Sequence, residues 1–270
     1  MNMEAILSKN GKTYWIETGD SILRERLRHG QYQSTNWDFV QTILPRWRVC
    51  LDIGSNNGLN AIHYAERFQQ VHCWEPTPTT QTLWRNTIRD NGVTNCTLYT
   101  DALGKQQGTA DIMIVPQCNG HNFLDHTPYN ERAKESKKQR HTVTVQTLDA
   151  YAFTDVDFVK IDVEGFEWFV LQGAEHTIST NRPLIQAEVN PQFSQKFGYT
   201  AQAMIEWMRQ RQYRVCSKRQ GWLDGEFTNR SRTLLHNGVA IQREIDLFFV
   251  PQEWNTNLYS NTYETLFEEI

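Results

Sequence analysis

Val49-Cys50-Leu51-Asp52-Ile53-Gly54-Ser55-Asn56-Asn57-Gly58 is a short apolar run that closes on an acid and then turns through two glycines. Leu59, Ile62, Ala65 and Phe68 follow at helical spacing, so the stretch predicts a strand, a tight glycine turn and a helix. At the carboxyl edge of an open α/β sheet, such a turn is where a ligand sits. Glycines let the backbone approach closely, and the helix start offers free N–H groups. The spacing D-x-G-x-x-x-G is not the G-x-G-x-x-G fingerprint that cradles a pyrophosphate.

Outward from the turn, residues 49 to 189 alternate strand and helix patterns, which predicts βαβ units and a mainly parallel sheet. Val71 to Pro76 reads as the second strand, Thr79 to Asp90 as a helix, and Cys96 to Leu103 as the third strand. Gly108 to Val115 and Thr142 to Leu148 alternate like an antiparallel addition. The polar stretch Pro116 to Arg140 between them reads as a covering loop. Asp157 to Val163 and Pro183 to Val189 extend the parallel set. After a helix from Thr200 to Gln212, strands from Tyr213 and from Ile245 to Pro251 close a sheet of about seven strands whose last pair is antiparallel. Residues 1 to 45 form an N-terminal cap, with a hairpin turning at Asn10-Gly11, a short helix ended by Gly30 and a helix from Trp37 to Leu44. Residues 46 to 270 form the main domain, although 252 to 270 are polar and acidic and match no element.

The chain of 270 residues is 39% hydrophobic and 21% charged, a globular composition with ample length for a core. A net charge of -4 argues against a broadly basic nucleic-acid binder. Cys50, Cys73, Cys96, Cys118 and Cys216 form no C-x-x-C pair and read as reduced, mostly buried thiols. With no apolar leader and no membrane-length run, the expected location is cytoplasmic, with no membrane partner.

Glu75 ends the second strand about 20 residues past the turn, where an acid can accept hydrogen bonds from both hydroxyls of a ribose. Asp101 ends the third strand, placed either to accept an adenine amino hydrogen or to serve as a turn residue before Gly104. Turn and Glu75 together favour a nucleoside-type ligand, and D-x-G-x-x-x-G is the pattern that accompanies S-adenosylmethionine (SAM). The expected contacts are Asp52, Gly54, Ser55, Asn56, Gly58, Glu75, Asp101, Ala102 and Asp162. Downstream, Val159-Lys160-Ile161-Asp162-Val163-Glu164-Gly165-Phe166-Glu167 places charges in a strand that should be buried. Unpaired buried charge is costly, so a partner or a role is expected. Alternation puts Lys160, Asp162 and Glu164 on one side.

These motifs, with Glu75-Pro76, Ala102-Leu103-Gly104, Thr147-Leu148-Asp149, Leu171-Gln172-Gly173-Ala174 and Arg182-Pro183, occur in an order that resembles the FkbM family of methyltransferases over residues 35 to 190. The resemblance implies a class I, Rossmann-like methyltransferase with a seven-stranded, mainly parallel sheet and helices on both faces. It also implies SAM as cofactor and a hydroxyl of a small molecule or sugar as acceptor. Two positions depart from the family pattern. Asn57 stands where an apolar residue is usual, and Asn119-Gly120-His121-Asn122-Phe123 lacks a Ser-rich tract.

A hydroxyl acceptor has to lose its proton, so a base or a metal is expected. Asp162 is the first candidate base, and His121, with His126 in the same loop, is another. Asp162, Glu188 and Asn190 are an all-oxygen set suited to Mg2+ by analogy with catechol-type enzymes. Arg132, Lys134, Lys137, Lys138 and Arg140 form one basic cluster, and Arg209, Arg211, Arg214, Lys218 and Arg219 another. Flanking the cleft, they would suit RNA or a phosphorylated acceptor; otherwise they are solvated faces. Rivals of another class are a nicotinamide oxidoreductase, which the missing fingerprint disfavours, and a non-catalytic nucleotide-binding module.

Overall fold

The computed structural model describes residues 2–30, 34–114, 123–125, 139–218, 232–235, 238–241, 245–254 and 267–269. The chain enters through an antiparallel hairpin, β1 (Met3–Leu7) and β2 (Thr13–Glu17), registered Leu7 on Thr13. Its turn spans Ser8 to Lys12 rather than two residues. The Asn10 side chain takes the Ser8 hydroxyl and the Lys12 N–H, and Gly11 closes the wider loop at φ 80°. α1 (Ser21–His29) is capped by Asp20, which accepts Leu23 N–H, and stops at left-handed Gly30. α2 (Ser34–Ile43) then leads into the main sheet.

β3 (Val49–Ile53), α3 (Leu59–Ala65), β4 (Gln70–Trp74), α4 (Pro78–Asp90) and β5 (Cys96–Tyr99) are the alternation read from the sequence. The third strand stops at Tyr99, short of Leu103, because Asp101 is drawn to the Tyr151 hydroxyl and the chain leaves the sheet. Ala102–Leu103 instead forms β6, in a second sheet with β7 (Gly108–Ile114), β8 (Phe123–Asp125) and β9 (Gln139–Gln146), in the order β6-β9-β7-β8. The antiparallel pairing of β7 with β9 is as expected.

Next come β10 (Val156–Ile161), α5 (Glu167–Gln172), α6 (Glu175–Asn181), β11 (Leu184–Val189), α7 (Pro191–Lys196) and α8 (Ala201–Gln210). β12 (Tyr213–Lys218), the hairpin β13 (Arg232–Leu235) with β14 (Gly238–Ile241), β15 (Ile245–Pro251) and β16 (Phe267–Glu269) complete the described chain. The main sheet has the order β16-β12-β15-β11-β10-β3-β4-β5. β5, β4, β3, β10 and β11 run parallel, and β15 is antiparallel to both β11 and β12. This is the seven-stranded class I methyltransferase arrangement, with β16 as an additional edge strand inside the tail that matched no pattern.

Each face carries its own apolar layer. Leu51, Ile53, Val159, Ile161 and Ile185 meet α5, α6 and α8. Cys50, Val71, Phe158 and Phe248 meet α2, α3 and the N-terminal hairpin through Phe39, Ile62, Tyr14 and Ile16. Cys50, Cys73 and Cys216 are free and buried, Cys96 is free and half-buried, and Cys118 lies outside the described residues.

Side chains seal the open edge of the hairpin. Thr13 N–H and C=O meet the Asn91 amide, Trp15 N–H meets Thr87 Oγ1, and Trp15 C=O accepts from Asn57 Nδ2 at 3.0 Å. An exposed row of backbone groups is thereby satisfied. Asn57, which departs from the family pattern, is the residue that ties the glycine turn to this hairpin.

Candidate active site

The turn after β3 is held by backbone contacts on both sides. Gly54 and Ser55 both donate to Trp74 O, at 3.0 and 2.9 Å, and Asp162 N–H donates to Ile53 O at 2.9 Å. Gly54 has φ 83°, and a side chain there would collide with the Asp162 carbonyl oxygen, so glycine is required twice over. Asn56 follows at φ 50°. Beneath the turn, Trp84 Nε1 donates to Ser55 Oγ at 3.0 Å, and Ser55 Oγ donates to Asp52 Oδ2 at 2.7 Å. Asp52 is fully buried and its Oδ1 has no hydrogen-bond partner, a cost the fold retains here. Burial pushes its carboxyl up to about 6, against the pull of Lys160 and Ser55.

Glu75 lies one strand over. Its Oε1 accepts Thr77 N–H at 2.8 Å, and Gln81 Nε2 holds its carbonyl at 2.9 Å. Burial pushes Glu75 up to about 7, against the hydrogen bonds from Thr77 and Asn56. Asp101, beyond the neighbouring strand, accepts from Tyr151 Oη at 3.0 Å. That tyrosine belongs to an aromatic group in which Trp74 stacks on Tyr99 at 4.8 Å and Tyr151 on Phe153 at 5.8 Å.

The other half of the site is built from β10 and β11. Lys160, only 2% exposed, donates to Asp162 Oδ2 at 2.7 Å. Burial alone would lower the Lys160 ammonium, but Asp162, Asp52 and Asp246 outweigh it and hold it above the usual range. Burial likewise pushes Asp162 up, and the Lys160 charge more than offsets this, so its carboxyl stays below the usual range. The strand ends at Ile161, earlier than the alternation suggested, so Asp162 and Glu164 occupy a turn in which Glu164 takes φ 54°. Its tightness brings oxygens of Asp162, Glu164 and Glu188 within 4.8 Å of one another. Asn190 does not complete that set in the expected way, because its Oδ1 accepts Gln192 N–H as the cap of α7.

Glu164 and Asp246 are absent from the expected site, as are Glu167, which hydrogen-bonds the backbone of the turn after β10, Tyr199, which meets Glu167, and Asn36, which meets Asp246. Asp246 accepts from Gln186 at 2.8 Å and from Asn36 of α2 at 2.6 Å. An acid inside the apolar run Ile245 to Pro251 is the signal that could have marked it. Expected His121 and His126, and the basic residues 132 to 138 and Arg219, lie outside the described residues. Of the second basic cluster, Arg209, Arg211 and Arg214 lie away from the site, whereas Lys218 ends β12 level with Asp246, at the site's own edge of the sheet. Arg182 at the start of β11 donates to the Arg211 and Gln212 carbonyls, which fixes that region at the opposite, amino-terminal edge of the sheet. There Arg211 stacks over Trp207 at 3.4 Å and pairs with Glu175. Among the described residues, no helix is long and apolar enough to cross a membrane.

Solved structures resemble this chain at low identity. An FkbM methyltransferase from Methylobacillus flagellatus KT is 16% identical, covers 76% of this chain and 45% of its own, and has a TM-score of 0.46. This chain thus spans less than half of that protein. Precorrin 8w decarboxylase from Methanobacterium thermoautotrophicum is 13% identical, over 81% and 89% of the two chains, with a TM-score of 0.44. A TehB-like SAM-dependent methyltransferase from Corynebacterium glutamicum is 10% identical, over 85% and 94%, with a TM-score of 0.45. No curated protein matches the sequence. The FkbM methyltransferase domain model matches residues 52–215, from the acid of the glycine turn to the middle of β12. The chain belongs to the FkbM methyltransferase domain family.

Proposed function

We propose that this protein transfers a methyl group from SAM to a hydroxyl oxygen of a neutral small molecule or sugar. The observation that carries the reading is the convergence, at one sheet edge, of the glycine turn with Glu75 on one side and Asp162, Glu164 and Glu188 on the other. The residues present fit SAM. Gly54 lets the turn pack directly on the backbone of Asp162, and the unpartnered, buried Asp52 Oδ1 supplies negative charge beneath a cationic ligand. Bound there, SAM supplies an electrophilic methyl group on a sulfonium.

In this reading Glu75 accepts the ribose hydroxyls, and Asp101, steadied by Tyr151, faces the adenine, with Ala102 beside it. Gly54, Asn56 and Gly58 shape the backbone of the turn. Ser55 acts from below, holding Asp52. Residues 1 to 45 serve as a cap that braces the turn through Asn57. Asp162 accepts the hydrogen bond of the acceptor hydroxyl and aligns its oxygen for in-line attack, where positioning is worth several kcal/mol. Held low by Lys160, it is ionised but only weakly basic before attack, so it takes the hydroxyl proton as the new C–O bond forms and the sulfonium C–S bond breaks, when that proton becomes strongly acidic.

Of the expected Mg2+ set, Asp162 and Glu188 lie together with Glu164, while Asn190 caps α7 and Lys160 already balances the Asp162 charge. With the Asp162 charge already balanced by Lys160, activity unchanged by chelation is the expected result. The carboxylates also disfavour RNA or a phosphorylated acceptor, since a phosphate would meet like charge. An acceptor screen with radiolabelled SAM tests the reading. Transfer to a neutral hydroxyl compound, lost in Asp162→Asn with SAM binding kept, supports it; transfer confined to RNA contradicts it.

A further inference from the structure

Glu167 opens α5, is 1% exposed and binds the backbone of the turn that carries Asp162 and Glu164 at two points. Its Oε1 accepts Val163 N–H at 3.1 Å and Gly165 N–H at 3.0 Å. On its other side is Tyr199, from the segment between α7 and α8. The Tyr199 hydroxyl oxygen lies 3.0 Å from Gly165 O and 3.2 Å from Glu167 Oε2.

A proton count decides what this arrangement needs. The phenol has one hydrogen and two buried acceptors within reach. If Glu167 is ionised, one acceptor is left facing a lone pair at hydrogen-bond distance, at a cost of about 1–3 kcal/mol for an unmade buried bond. If Glu167 carries a proton, Oε2–H donates to the phenol oxygen and the phenol donates to Gly165 O. Every contact is then satisfied.

We infer that Glu167 works as a neutral carboxylic acid, a positioning group whose own proton goes to Tyr199 so that the turn bearing Asp162 and Glu164 keeps its shape. This rests on the reading of that turn as the acceptor end of the methyl-transfer site. The turn needs such a brace. Glu164 sits at φ 54° and Gly165 at φ 100°, a conformation costing about 1–3 kcal/mol for a non-glycine residue. A Cβ on Gly165 would stand 2.5 Å from Phe193 Cβ, so α7 presses on the same turn from outside.

The titratable and charged groups facing Glu167 agree with a neutral state. Asp162 faces it from the end of β10, Glu164 from the turn and Tyr199 from beyond α7. Lys160 is paired with Asp162, and Lys196 of α7 lies over the Phe193 ring at 4.8 Å. Backbone N–H groups favour the carboxylate, but burial outweighs them and, with Asp162 adding repulsion, pushes Glu167 up to about 7. Burial and Glu167 push the Tyr199 phenol far above its usual range, so the phenol stays a donor.

The test uses the full chain with 13C-labelled glutamate side chains, titrated by NMR, with the Glu167 signal assigned by its absence from Glu167→Gln. A carboxyl carbon that titrates near neutrality or above is expected, and one that stays ionised down to pH about 5 overturns the inference. SAM affinity supplies the second readout. Glu167→Gln, which mimics the neutral acid, should bind SAM within about twofold of wild type at neutral pH and lose less affinity than wild type between neutral pH and pH about 9, since Glu75 titrates alike in both proteins. Glu167→Ala should lose about tenfold. A Glu167→Gln protein that fails to fold, or that is as impaired as Glu167→Ala, overturns the inference, because it means the charge is needed. If wild type binds no SAM, the cofactor reading fails, and the NMR titration still decides the state of Glu167.

Discussion

Lys160 Nζ lies 2.7 Å from Asp162 Oδ2, two residues along the same strand end, with the lysine almost wholly buried. The charges are paired, but unequally: Lys160 also answers Asp52 on the neighbouring strand and Asp246 on β15. One ammonium thus links β3 below the glycine turn, the turn after β10, and β15.

Replacing that ammonium should be severe. Lys160→Met leaves Asp162 and Asp52 without their compensating charge, and breaking such a buried pair costs about 3–5 kcal/mol. Urea denaturation of the variant against wild type checks this. A loss under 1 kcal/mol, on the scale of exposed pairs, would mean that water already screens the site.

The raised carboxyls set a pH dependence. Glu75 stands at about 7 in the folded chain, above its ordinary value of 4.5, so the folded protein binds this proton more tightly than the unfolded one. Stability from this group is therefore full below pH about 4.5 and is lost as pH rises towards 7. Glu75→Gln should reduce the fall in unfolding free energy between pH 5 and 8 by about 1–3 kcal/mol. Matched denaturation curves for the two proteins at both pH values measure the difference. An identical fall in both would show Glu75 to be ionised in the free protein.

The hairpin should brace the cofactor turn. Asn57→Ala leaves Trp15 O unpaired, for a loss of about 1–3 kcal/mol, and Asn91→Ala should act on the same strand edge. A double-mutant cycle should give coupling of about 0.5 kcal/mol or more, with SAM affinity falling for Asn57→Ala and not for Asn91→Ala. Equal effects of the two variants on affinity would make the hairpin a stabiliser of the fold alone.

Gly54→Ala should abolish SAM binding, since the new methyl group would collide with Asp162 O and the backbone conformation is left-handed. Calorimetry on any folded variant tests it, and retained affinity would show that the turn can move away from β10.

The elements read most easily from sequence were those with local causes. The glycine turn, β4 with Glu75, and α4 behind its Pro78 each follow from a few adjacent residues. Asp162 was legible because a charge in a buried strand demands a partner, and Lys160 is that partner. The remainder depends on contacts distant in sequence. Ala102–Leu103 left the third strand for β9, more than 40 residues away, a pairing no local pattern encodes. Glu167 and Tyr199 meet only because α7 folds back over the turn, and Asp246 meets Asn36 across most of the chain. Asn57 looked anomalous in the family pattern because its partner, Trp15 O, lies outside the matched domain.

The most direct test of the account is calorimetric titration of the full chain with SAM and with its demethylated product, with NADH as control and Glu75→Ala as the paired variant. Micromolar binding of SAM and its product, lost in Glu75→Ala and absent for NADH, is the predicted result. Binding of NADH without SAM would contradict the methyltransferase reading.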